Sequence, residues 1–145
     1  MENFNDGTYE IIGRAMHVHR SLGPGLREKP YENALVIALR NERLPVKQQL
    51  AYPIYYDGMV VGDCVPDITS GDVLIDAKSV GALGDSERAQ MLNYLRISEK
   101  KVGLVINFKN PKLEWVRLVR GEIPPHELSR ISTNSGKNDL MTDAP

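Results

Sequence analysis

Apolar and polar residues change their rhythm several times along the chain, and each rhythm predicts an element. Residues 8–21 place Ile11, Ala15, Val18 and Leu22 at helical spacing, with Glu10, Arg14, His17 and Ser21 opposite. Gly23-Pro24-Gly25 stops that helix, because glycine caps it and proline cannot continue it. A second helix is predicted from Arg27 or Glu28 to about Arg43, with the stripe Tyr31, Ala34, Leu35, Ala38 and Leu39 and with Pro30 in its first turn. Residues 46–56 alternate as a strand, with Pro53 marking an edge or a bulge. Asp57-Gly58 is a hairpin turn, and a return strand is expected from Met59 to about Ile68. Thr69-Ser70-Gly71-Asp72 turns the chain again into Val73-Leu74-Ile75, apolar and mostly β-branched. A third helix is predicted from a cap at Asp85 or Ser86 to about Glu99, with Gln90 and Tyr94 neighbours on one line. The continuous run Val102–Phe108 suits a central strand covered on both faces, and Leu113–Val119 alternates as a final edge strand. The resulting order is helix, helix, three strands, helix, two strands, which gives an α/β fold: a mixed sheet of four or five strands flanked by helices.

Composition narrows the class. The 145 residues are 41% hydrophobic and 26% charged, as in an ordinary water-soluble domain with a real core. A single domain over residues 1–120 is expected. From residue 121 to 145 apolar residues thin out, which predicts a flexible tail. The net charge of −1 argues against coating nucleic acid by charge alone, while leaving room for a local basic patch. The single cysteine, Cys64, excludes an internal disulfide and reads as a small core residue. No apolar run reaches the roughly 20 residues of a membrane span, and the N-terminus is acidic and polar, unlike a signal peptide. A cytoplasmic protein is the corresponding expectation. A homo-oligomer is compatible with this sequence.

One stretch breaks the apolar logic of its own strand. After Val73-Leu74-Ile75 come Asp76, Ala77 and Lys78, so an acid and an amine share one strand face with Ala77 on the other. Such groups are costly to bury unless they pair or bind an ion. Asp67, nine positions earlier on the preceding strand, can reach the same place. Two carboxylates and a lysine suit a magnesium ion, which takes oxygen ligands and keeps water. Asp67 and Asp76 would ligate it, the Ala77 carbonyl could add a ligand, and Glu28 could bind directly or through water. Lys78 would orient a water or stabilise developing charge. Gln90 could position the nucleophile or a phosphate, with Tyr94 beside it. Glu28 falls three residues before Tyr31 and is expected along the buried stripe. His19, at the edge of the first helix's stripe, reads chiefly as a partly buried histidine with a backbone partner. Arg20, Arg27, Lys29, Arg88 and Arg96 lie on elements flanking this site and could hold phosphates.

Gly25-Leu26-Arg27-Glu28-Lys29-Pro30-Tyr31 matches a Gly-x-x-Glu-x-x-Tyr signature. With the flanking Val18–Leu26, Gln90–Leu95 and Val102–Phe108 segments, it resembles the GxxExxY proteins of the PD-(D/E)XK nuclease superfamily over residues 8 to 120. The resemblance implies a restriction-endonuclease-like αβββαβ core and magnesium-dependent hydrolysis of nucleic acid, DNA in the first place, with manganese a plausible substitute. It implies Asp67 and Asp76 as metal-binding acids, Lys78 as catalytic lysine, Glu28 as an extra acid, and Gln90 and Tyr94 as the Gln-x-x-x-Tyr pair of RecB-type nucleases. Four features depart from the family's pattern. Asp76 stands where glutamate is commoner, Ala77 replaces a bulkier residue, Lys29-Pro30 is unusual inside the signature, and the turn before Val73 is short. The Asp76 substitution and the near-neutral charge motivate an alternative: a nuclease fold kept as a weakly active or inactive module that binds nucleic acid or a protein partner.

Overall fold

The computed structural model describes residues 6–124. The expected tail lies, beyond residue 124, outside the described residues. Two helices come first, α1 (Thr8–Leu22) and α2 (Glu28–Asn41). Five strands follow: β1 (Lys47–Gln48), β2 (Tyr52–Tyr56), β3 (Met59–Cys64), β4 (Ile68–Ser70) and β5 (Val73–Lys78). Helix α3 (Asp85–Ser98) then leads to β6 (Val102–Asn107) and β7 (Glu114–Val119). The main sheet has five strands in the order β1-β4-β5-β6-β7. Only β5 and β6 run parallel, joined through α3, and the other neighbours are antiparallel. This is the mixed α/β sheet that the residue rhythm predicts.

Strand parity decides what each face meets. Val73, Ile75 and Ala77 of β5 and Leu104 and Ile106 of β6 pack with Ile11, Ala15, Leu35 and Leu39 of α1 and α2. Leu74 and Val105 pack on the other side with Met91, Leu92 and Leu95 of α3. Asp76 and Lys78 share the parity of Leu74, so they emerge on the α3 side at the end of the strand. Gly103 lets α3 approach that closely, because a Cβ there would drive into the Met91 side chain. Asn107, wholly buried at the end of β6, accepts from Val80 N–H (3.1 Å) and donates to Val80 O (2.8 Å). Phe108 N–H donates to Lys78 O at 2.9 Å, so the chain just past the Asp-Ala-Lys segment is tied down on both sides.

Two expected strands are each broken. The predicted 46–56 strand stops after Gln48 and resumes at Tyr52, because Gln49 takes a left-handed φ of 57° and leaves the ladder. The predicted return strand to Ile68 stops at Cys64, before Val65-Pro66-Asp67. Pro66 has no N–H to give a ladder. The result is a separate β2-β3 hairpin, its Asp57-Gly58 corner at positive φ in both residues. Its register shifts between Ile54 and Tyr55, and Tyr52 OH meets Thr69 Oγ1 at 2.8 Å to tie it to the main sheet. Helix α3 starts one or two residues earlier than expected from a cap at Asp85 or Ser86. Gly84 is its cap residue, its N–H donating to Glu87 Oε1 at 2.8 Å.

Tyr31 explains the order of the segment between α1 and α2. Its ring is fully buried and stacks on Phe108 at 4.4 Å. Its hydroxyl donates to Gly23 O (2.6 Å) and accepts from Leu26 N–H (3.0 Å), pinning the Gly-Pro-Gly loop. Ser79 Oγ donates to Leu26 O at 2.6 Å, which joins that loop to the residue after Lys78. Tyr31→Phe keeps the stack and removes both hydroxyl bonds. It is expected to cost about 1–2 kcal/mol, read from the shift in urea midpoint at unchanged slope.

Candidate active site

The site forms where β4 enters the sheet and β5 leaves it. Ile68 pairs with Ile75, so Asp67 and Asp76 stand at the next opposed position across an antiparallel pair. Like charges placed there repel, and the backbone answers with crossed hydrogen bonds. Asp67 N–H donates to Asp76 Oδ1 at 2.9 Å, and Ala77 N–H donates to Asp67 Oδ2 at 2.8 Å. Lys78 Nζ lies 3.7 Å from Asp76 Oδ2 and donates to Gln90 Oε1 at 2.8 Å. Gln90 Nε2 in turn donates to Tyr94 OH at 3.0 Å, so the i, i+4 pair on α3 acts as one unit holding the lysine.

The electrostatics match the geometry. Burial, and then the Asp76 charge, push the Asp67 carboxyl up to about 7. Burial pushes Asp76 up to about 6, against the lowering effect of the Asp67 N–H and of Lys78. Burial, with Asp76 next, raises Tyr94 to about 12, so it stays a neutral hydroxyl. Two carboxylates that resist ionisation side by side form a place where a cation is welcome. The donors are hard oxygens, which fit magnesium or manganese rather than a soft-metal site. No cluster of three or more His, Cys, Asp or Glu side chains poised for a metal is present among the described residues.

Glu28 departs from its expected place. It is exposed, on the first turn of α2, where it borders an open cavity of about 440 Å³ with Arg27, Ser79 and Lys109. Its charge still reaches Asp76. The buried acid of this helix is Glu32, one turn further on and only 3% exposed. Its Oε2 accepts from Gln48 Nε2 and Gln49 Nε2, both at 2.8 Å, and Lys29 Nζ pairs with it at 3.2 Å. Burial opposes its ionisation, but those hydrogen bonds and the lysine together hold its carboxyl below the usual carboxylate range. The signal for Glu32 stood in the helical stripe itself. Glu32 lies three before Leu35 and seven before Leu39, among residues that are otherwise apolar. Gln48 and Gln49 had no such signal, since their partners are 16 and 17 residues away.

The candidate cations divide. Arg27 borders the cavity beside Glu28, whereas Lys29 is engaged by Glu32. Arg20 is exposed in the last turn of α1, and Arg88 is half-buried in the first part of α3. Arg96 donates to Asn93 Oδ1 (3.3 Å) and lines a separate cavity of about 980 Å³ that none of the site residues touches. His19 takes the structural role expected of it: buried, with Nε2 2.9 Å from Asn110 O. Cys64 is buried as well, and burial raises its thiol further from reactivity.

A sequence profile of the PD-(D/E)XK nuclease superfamily matches residues 5–118. The chain belongs to that superfamily. Among solved structures, that of SSO0001 is similar at a TM-score of 0.53 and 12% identity, over 79% of this chain and 58% of the other. The chain therefore spans less than two thirds of that protein, and the likeness is one of fold. An alkaline exonuclease from Laribacter hongkongensis, LHK-Exo, aligns at a TM-score of 0.48 and 12% identity, over 99% of this chain and 83% of the other. No protein with a curated description matches the sequence. Among the described residues of this PD-(D/E)XK protein, no helix is long and apolar enough to cross a membrane.

Proposed function

We propose that the protein is a divalent-metal-dependent nuclease that hydrolyses phosphodiester bonds of nucleic acid, with DNA the expected substrate. The observation that carries this reading is the crossed pairing of Asp67 and Asp76, with Lys78 held beside them by Gln90. Asp67, Asp76 and the Ala77 carbonyl would hold magnesium, or manganese in its place, and Glu28 would contribute from the cavity rim. When bound, the cation would lower the pKa of a water and offset charge gathering on the phosphodiester. Lys78 would orient the attacking water or stabilise the developing negative charge, and Gln90 with Tyr94 would keep its ammonium directed into the site. Arg27, which lines the same cavity as Glu28, would steady a phosphate, and Arg20, Lys29, Arg88 and Arg96 are weaker candidates for backbone contacts.

The test is a substrate panel of single-stranded, duplex and branched DNA and of RNA. Each substrate is incubated with magnesium, manganese or chelator, beside an Asp76→Ala control. Cleavage should need the cation and vanish in the variant. Cleavage that persists in chelator, or in purified Asp76→Ala, would overturn the metal mechanism. Cation-independent binding without turnover would instead identify the chain as a binding module.

A further inference from the structure

The break between β1 and β2 has a purpose that reaches the carboxylates. Gln49 is not glycine, yet it takes a left-handed φ of 57°. Strain of this kind persists where surrounding interactions over-determine it. Here they do. The Gln49 backbone N–H donates to Asp67 O at 2.9 Å. Its side-chain Nε2 donates to Glu32 Oε2 at 2.8 Å and lies 3.5 Å from Asp67 Oδ1. A primary amide nitrogen carries two hydrogens, so one nitrogen can face two carboxylates. Asp67 Oδ2 is already fixed by the Ala77 N–H, so the Gln49 amide addresses its other oxygen. Gln49 itself is exposed, and no core packing depends on it. Glu32, by contrast, is buried and anchored by Gln48 and Lys29 as well, which makes it a firm post for the amide.

We infer that Gln49 is a positioning residue: anchored on Glu32, its amide sets the orientation of the Asp67 carboxylate and separates that carboxylate from Glu32. The inference rests on the proposal that Asp67 and Asp76 hold a divalent cation. It adds a support that neither the Gly-x-x-Glu-x-x-Tyr signature nor the Asp-x-Lys segment contains. A group in this position acts through the ligand it orients, and loss of such a support lowers metal affinity by about 10–100-fold.

Gln49→Gly separates positioning from folding. Glycine accepts the left-handed φ, so the backbone is relieved while the amide is lost. Manganese binding is measured by calorimetry on the whole chain, beside thermal melts in chelator. The expected result is a chain that still melts cooperatively in chelator, somewhat below the wild type because Glu32 loses one donor, with manganese affinity at least tenfold weaker. Glu32→Ala removes the anchor, and the double variant Glu32→Ala/Gln49→Gly should bind manganese no more than about twofold more weakly than the weaker single variant, because both act through one chain of contacts. Equal manganese affinity in wild type and Gln49→Gly would overturn the positioning role while leaving the cation site standing. Absence of manganese binding in the wild type would overturn both.

Discussion

Lys78→Met is expected to slow nucleic-acid cleavage by about 10²–10³-fold in single-turnover conditions, with manganese affinity changed only a few-fold. Methionine retains the aliphatic stem that fills the end of β5 and removes the ammonium that sits 2.8 Å from Gln90 Oε1 and 3.7 Å from Asp76 Oδ2. The lysine is not a ligand, so its loss should fall on the chemical step. Asp76→Asn is expected to behave differently. It keeps an acceptor for the Asp67 N–H but loses the negative charge, so cation affinity and cleavage should fall together. Rapid-quench rates at saturating manganese, set beside calorimetric affinities, separate the two patterns. An unchanged rate in Lys78→Met would reduce the lysine to an ion-pair partner of Asp76. Gln90→Ala should give a smaller loss in the same step, because the lysine loses its orienting bond but keeps its charge.

The contrast between Lys78 and Gln49 shows what can be read from residues alone. The Asp76-Ala77-Lys78 interruption was visible because a strand with period 2 makes any charge on a core face stand out. Likewise Gln90 and Tyr94 were neighbours by helical spacing, and their hydrogen bond follows from it. The three helices, the fully buried β6 and the edge strand β7 were legible for the same reason, since each is a regular rhythm several residues long. Periodicity does not say where a helix stops being covered. Glu28 and Glu32 share one face of α2, but the first turn faces solvent and the second meets Gln48 and Gln49. Nor does it reveal a strand broken by one residue. Around Gln49 the alternation of residues 46–56 carries no mark of a break, and the break there is enforced by bonds to Glu32 and Asp67, distant in sequence. The local pattern yields the groups proposed to do chemistry, whereas the groups that hold them in place depend on tertiary contacts.

Those holding contacts leave a cost that pH should expose. In chelator, the melting temperature is expected to fall as pH rises from 5 to 8, on the order of 5 °C. Asp67 and Asp76 have folded-state values near 7 and 6, against an ordinary value of 3.8. Across that interval the folded chain binds more protons than the unfolded chain, so stability declines as pH increases and levels off once both groups are ionised. Glu32 contributes with the opposite sign, since its carboxyl is depressed, but its loss of stability falls at acid pH below this window. Asp67→Asn should flatten the decline. The amide oxygen can still accept from Ala77 N–H, and the charge facing Asp76 is gone. In metal-free solution at pH 8 this variant should therefore melt higher than the wild type while having lost cleavage. Adding manganese should raise the wild-type melting temperature more at pH 8 than at pH 5, because protons and cation compete for the same carboxylates. It should leave Asp67→Asn nearly unmoved. A wild-type melting temperature that climbs from pH 5 to pH 8 in chelator would mean that the two carboxylates are not in repulsion, and the physical ground for a cation between them would be lost.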